Sequence, residues 1–148
     1  MNGYLKLWIH NYEDKTGELY AKVAVDDFSG LGHACFDLGD LNERAKKFDQ
    51  FPLSTDSPAC ISGGYWTKDA KKIREEHLHI SAYPINQRGD INLLVKLAKP
   101  HEENHRSGVR HYVSVVLNTN YEQLSEFSKK LSLLACGEIH ELIFKESE

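Results

Sequence analysis

The sequence predicts an α+β domain: an antiparallel sheet of about six to eight strands with two α-helices packed on one face. Three observations carry this. Apolar residues alternate with period two over most of the chain, short polar turns separate the alternating runs, and the period changes to a helical one at only two places. At 148 residues the chain suits a single domain, 1–148, able to bury a core without metal or disulfide support.

The first run sets Leu5, Leu7 and Ile9 against Tyr4, Lys6, Trp8 and His10. A polar stretch from Asn11 to Gly17 reverses the chain, and Leu19, Ala21, Val23 and Val25 resume the alternation opposite Tyr20, Lys22 and Ala24. A third strand runs through Ala34, Phe36 and Leu38, giving a meander. Asp40-Leu41-Asn42-Glu43 has capping-box form, with Leu41, Ala45 and Phe48 at helical spacing behind it and Pro52 closing the helix. Cys60-Ile61-Ser62 reads as a strand interrupted by Gly63-Gly64. Residues 76–83 place Leu78, Ile80 and Ala82 inward and His77, His79, Ser81 and Tyr83 outward. A turn at residues 86–90 leads to Ile91, Leu93, Val95 and Leu97, and a polar loop follows from Pro100 to Gly108. His111, Val113, Val115 and Leu117 form the next inward set, opposed by Arg110, Tyr112 and Ser114. Thr119-Asn120-Tyr121-Glu122 offers a second capping box before Leu124, Phe127, Leu131 and Leu134, and Gly137 suits a C-terminal cap. Ile139, Glu141 and Ile143 against His140, Leu142 and Phe144 suggest a last strand, beyond which residues 145–148 are expected to fray. Both halves run from strands into one amphipathic helix, the order an internal duplication would leave.

Composition excludes several functions. The net charge of -4 argues against a nucleic-acid partner, which calls for a basic face. No apolar run is long enough for a membrane span, and no signal-peptide pattern opens the chain. Cys35, Cys60 and Cys136 are odd in number and widely spaced, which points to the reducing cytoplasm and, for Cys35 and Cys136, to small buried thiols. His33 is set to share a strand face with Cys35.

No complete catalytic constellation emerges. His101-Glu102-Glu103-Asn104-His105 matches the zincin pattern, but a proline precedes it, a glycine follows shortly, and no apolar stripe supports the helix the motif requires. His77 and His79 share a strand face, with Glu75 beside them, and constitute the only candidate metal pair. His79-Ile80-Ser81 resembles one half of a two-histidine phosphoesterase motif, without a second copy. Phosphate loops and nucleophile elbows are absent, so no cofactor is expected.

With both helices on one side, the opposite face collects Tyr4, Trp8, His10, Tyr20, His77, His79, Tyr83, Arg110 and Tyr112. Tyr, Trp and Arg are enriched at protein contacts, so these nine residues form the expected partner-binding surface. A second core under a folded-over segment such as 57–70 is the competing expectation.

The element order resembles WapI-like immunity proteins of polymorphic toxin systems. The resemblance rests on Leu41, Phe48 and Leu53; on Gly89-Asp90-Ile91 with Leu93 and Val95; and on Leu124, Phe127 and Leu131. It implies a cytoplasmic, non-catalytic inhibitor that neutralises a cognate toxin by direct binding, and mild acidity would suit a basic toxin domain. A small-ligand or metal-binding protein using His77 and His79, and a self-assembling structural domain, are the alternatives.

Overall fold

The structure, a computed structural model, describes residues 3–100 and 111–147. It is an α+β fold of eight strands and two helices, all strand pairs antiparallel. The strands divide into two four-stranded sheets. Strands β1 (Tyr4–Asn11), β2 (Thr16–Val25) and β3 (Phe28–Asp37) form a meander that leads into α1 (Leu38–Lys46) and a 3₁₀ turn, Lys47–Asp49. The chain then crosses to a second meander, β4 (Ala59–Trp66), β5 (Ile73–Pro84), β6 (Asp90–Ala98) and β7 (Tyr112–Asn120), followed by α2 (Tyr121–Ala135). The last strand, β8 (Glu141–Lys145), returns to the first sheet beside β1, giving orders β3-β2-β1-β8 and β4-β5-β6-β7.

The alternation predicts the inner faces well: Leu5, Leu7, Leu19, Ala21 and Val23 of the first sheet, and Leu78, Ile80, Ala82, Leu93 and Val95 of the second, are fully buried. Where the sheets meet, β3 lies against the second sheet, and glycines permit the approach. A Cβ on Gly63 would stand 2.8 Å from Phe36 and 2.9 Å from Ala34, and one on Gly30 only 2.4 Å from Val113. The two helices pack together on the shared inner side. Phe127 of α2 lies edge-on to Phe48 of the 3₁₀ turn at 5.4 Å and to Phe144 of β8 at 5.4 Å, so one ring joins α2 to the turn after α1 and to the first sheet. Ser128 donates to the carbonyl of Ala45 at 2.7 Å, and Ser132 bonds Asn42, which draws α1 and α2 close.

Three local expectations need correction. The α1 cap is Asp37, not Asp40: its carboxylate accepts from the Asp40 amide at 2.9 Å, because Leu38 and Gly39 already belong to the helix. Asn120 rather than Thr119 caps α2, accepting from the Gln123 amide at 2.9 Å. The tail does not fray after Lys145. The Glu146 carboxylate accepts from the Gly3 amide (3.1 Å) and the Asn118 amide (2.9 Å), and the Ser147 amide donates to the Asn118 carbonyl (2.9 Å), so the tail ties the start of β1 to β7 of the other sheet. Gly137 does take the left-handed conformation (φ +79°), with the Gly137 amide bonding Leu134 and the Glu138 amide bonding Leu133, a Schellman closure of α2.

Candidate functional site

Strand register assembles the outer face of the first sheet into rows that cross all four strands. One row reads Glu141, Trp8, Tyr20, His33; the next Ile143, Lys6, Lys22, Leu31; the third Lys145, Tyr4, Ala24, Ser29. In the first row, Trp8 stacks on Tyr20 with ring centroids 5.6 Å apart and 7° between planes, and Tyr20 continues to His33 at 4.9 Å. Lys6 sits 5.5 Å from the Trp8 ring and 3.2 Å from Glu141, and His33 Nδ1 lies 2.5 Å from Glu18 Oε1. A polar residue therefore holds each end of the aromatic row, which orders the rings before any partner arrives. Lys22, Leu31, Cys35, Glu141 and Ile143 on this face are exposed, so it is open to solvent. An open apolar depression of about 460 Å³ lies at the third row of the same face, lined by Gly3, Tyr4, Ile143 and Lys145.

The second sheet's outer face carries a polar network around His79, with Leu94, exposed Val116 and exposed Tyr112 elsewhere on it. A β-bulge between Gly63 and Gly64 of β4 leaves His77 without a register partner there, since Gly63 pairs Leu78 and Gly64 pairs Glu76. This overturns the expected pairing of His77 with His79. His77 is 3% exposed, contacts Glu75 Oε1 through Nε2 at 2.9 Å and meets Tyr65 edge-on at 4.5 Å. His79 belongs to a separate network: Nδ1 lies 3.1 Å from Glu76 Oε2 and 3.9 Å from Cys60 Sγ, and Nε2 lies 2.9 Å from Ser81 Oγ, while Ser62 donates to Glu76. The two histidines engage different carboxylates. Among the described residues no group of three or more His, Cys, Asp or Glu side chains is placed to hold a metal ion.

Ser81, His79 and Glu76 follow the bonding order of a nucleophile, base and carboxylate. The surroundings do not complete it. Ser81 is only 6% exposed, and its strand is paired on both sides, to β4 and to β6. Burial, and secondarily the charge of Glu76, pushes the Cys60 thiol up, the wrong direction for a thiolate nucleophile. The arrangement is suited to fixing β4 against β5.

The eight described residues of the nine predicted contacts do not form one surface, because the strands belong to two sheets whose outer faces point away from each other. Tyr4, Trp8, His10 and Tyr20 lie on the first sheet; His79, Tyr83 and the 74% exposed Tyr112 lie on the second; His77 is buried. Arg110 and the 101–105 zincin-like stretch lie outside the described residues. Residues 59–66 form β4 of the second sheet and so do not make the folded-over second core. Cys35 and Cys136 are exposed rather than buried: Cys35 alternates outward on β3, and Cys136 caps α2. Sequence reasoning missed Lys6, Glu18, Leu31 and Ile143 as members of the face. Their outward parity was visible, but the neighbour across each strand was not. No helix among the described residues is long and apolar enough to cross a membrane. Comparison with protein families, curated proteins and solved structures gives no match for this chain.

Proposed function

We propose that this chain is a non-catalytic, cytoplasmic protein-binding domain of immunity type, which neutralises a cognate toxin by contact through the outer face of its first sheet. The observation that carries this reading is the ordered row Trp8–Tyr20–His33 on a solvent-facing sheet surface, flanked by exposed Leu31 and Ile143. Solvated sheet faces ordinarily carry Lys, Glu and Thr; prearranged aromatic rings with charged ends are what a binding hot spot uses. The apolar depression beside Tyr4 can seat a partner's side chain. The net charge of -4 favours approach of a basic domain, whereas Lys6, Lys22 and Lys145 ask for carboxylates at the contact itself.

The test uses the toxin domain encoded beside this chain in its host. Coexpression restores growth, and calorimetry gives a Kd that rises about 30-fold or more for Trp8→Ala and for Tyr20→Ala, the ~2 kcal/mol of a hot-spot aromatic. His79→Ala and Tyr112→Ala, on the other sheet, leave Kd within about threefold, below 1 kcal/mol. Equal binding by all four variants removes this face from the reading, and absence of binding by the unaltered chain removes the reading itself.

A further inference from the structure

The first sheet ends on β8, five residues whose pattern is self-complementary. Glu141, Ile143 and Lys145 project outward, while Leu142 and Phe144 are buried inward. Among the described residues no strand pairs with the other edge of β8, which is flanked on the helix side by a groove of about 310 Å³, lined by Gln123, Glu126, Phe127 and Lys130 of α2 and by residues 142–145. The edges of the second sheet are less open to a strand. Asn118 on β7 already bonds the Glu146 carboxylate and the Ser147 amide. On β4 the pairing is broken twice, between Gly63 and Gly64 and between Tyr65 and Trp66.

We infer that a second copy of this chain pairs with β8, antiparallel and two-fold symmetric about Ile143, joining two first sheets into one continuous eight-stranded sheet. A two-fold axis at Ile143 sets Ile143 against its own copy, Leu142 against Phe144, and Glu141 against Lys145 on both sides of the axis. Unlike charges directly across an antiparallel pair are favourable, and the arrangement offers them twice. An unpaired strand edge supplies the remaining peptide donors and acceptors. Glu126 and Lys130 on the groove rim carry one charge of each sign, so the approach builds no single-sign repulsion. Ile143, 46% exposed in the single chain, becomes the centre of the contact. This assembly does not depend on toxin binding, although it draws on Ile143 and Lys145 of the same face; it places two copies of the aromatic row on one extended surface.

The experiment is sedimentation equilibrium of the full chain up to about 200 μM, where association must follow concentration. The unaltered chain reaches twice its single-chain mass. Lys145→Glu and Glu141→Lys, each placing like charges across both outer pairs, sediment as monomers with at least about tenfold weaker association. An equimolar mixture of the two variants regains the dimer, because every outer pair is again unlike. Circular dichroism of each variant alone confirms that it is folded. A monomeric unaltered chain at the highest concentration, variants that dimerise as well as it does, or folded variants whose mixture stays monomeric would each overturn the inference.

Discussion

Replacing Gly64 by alanine tests whether the β4–β5 bulge is imposed by the backbone. An alanine Cβ at this position would stand 2.0 Å from the Glu75 carbonyl oxygen and 2.9 Å from the His77 amide nitrogen, both of them main-chain atoms. No rotamer relieves such a contact. The strands must part locally by about 1 Å, losing roughly two ladder hydrogen bonds at about 1 kcal/mol each, with overpacking strain of about 1–3 kcal/mol added. The φ of +158° adds a conformational penalty of its own. Gly137 is the control: it too has positive φ, +79°, but a Cβ there meets nothing within 4 Å. Gly137→Ala should therefore cost only the left-handed backbone, about 1 kcal/mol, while Gly64→Ala costs about 3 kcal/mol or more. For a chain of this size that separates the two midpoints by roughly 4–8 °C in a thermal melt, and urea unfolding should give the same ranking. Equal destabilisation by the two substitutions would refute the claim that close main-chain contact requires glycine at position 64.

Other outcomes follow from particular contacts. Cys60, its thiol pushed up by burial and then by Glu76, should react with iodoacetamide more slowly at neutral pH than exposed Cys35 and Cys136, and Glu76→Gln should speed it; mass spectrometry of the alkylated peptides gives the order. The linked stability change has a definite sign: below the unfolded thiol's pKa both states hold the proton, and as pH rises above it the unfolded chain loses its proton first, so Cys60 makes stability fall on the alkaline side. A Cys60→Ser variant with an identical alkaline slope in urea titrations would contradict this. Glu146→Ala removes the acceptor shared by buried Gly3 and exposed Asn118 and should lower stability by about 1–2 kcal/mol; Glu146→Gln, which retains one oxygen, should lose less. Because the Glu146 amide donates to the Gly3 carbonyl at 2.8 Å, a circular permutant that joins residue 147 to residue 3 through a short glycine–serine linker and opens the chain near residue 56 should fold, with a native circular dichroism spectrum and cooperative melting.

The strands and helices are legible because burial of one face imposes a local period. Leu5-x-Leu7, Leu78-x-Ile80 and Leu124-x-x-Phe127 each report their own surroundings, and the structure buries all six residues. Helix starts slip because two nearby residues offer the same chemistry: Asp37 and Asp40, three positions apart, can each accept an amide, and only the path of β3 into α1 selects between them. Partition into two sheets left no local mark, since a strand alternates identically whichever neighbour it has. The assumed single outer surface failed for that reason, and so did the burial of Cys35, which lies across from Glu18 on an open face. Gly63-Gly64 did signal an irregularity, but that a bulge there would turn His77 inward and leave His79 with Glu76 depends on the pairing of β4 with β5.

The sheet order gives the duplication suggested by the sequence a more specific form. Read in space, the first unit is β8-β1-β2-β3 followed by α1, and the second is β4-β5-β6-β7 followed by α2. Each is a four-stranded meander closed by a helix, and the helix of each leads into the first strand of the other. Chain order hides this because β8, the opening strand of the first unit, comes last; comparing residues in linear order sets β1 against β4, when its counterpart is β5. Aligned in this order, Trp8 and His79 sit on equivalent second strands, and their surroundings differ. Around Trp8 the outer face is aromatic and open, with Tyr20 and His33 in line; around His79 it is a polar network holding Glu76, Ser62 and Ser81. If contact residues were retained only to protect a sheet from water, the two equivalent faces would face the same requirement and have no reason to differ in this way. The proposed partner on the first sheet would act on one unit alone, which is the asymmetry that the Trp8–Tyr20–His33 row presents.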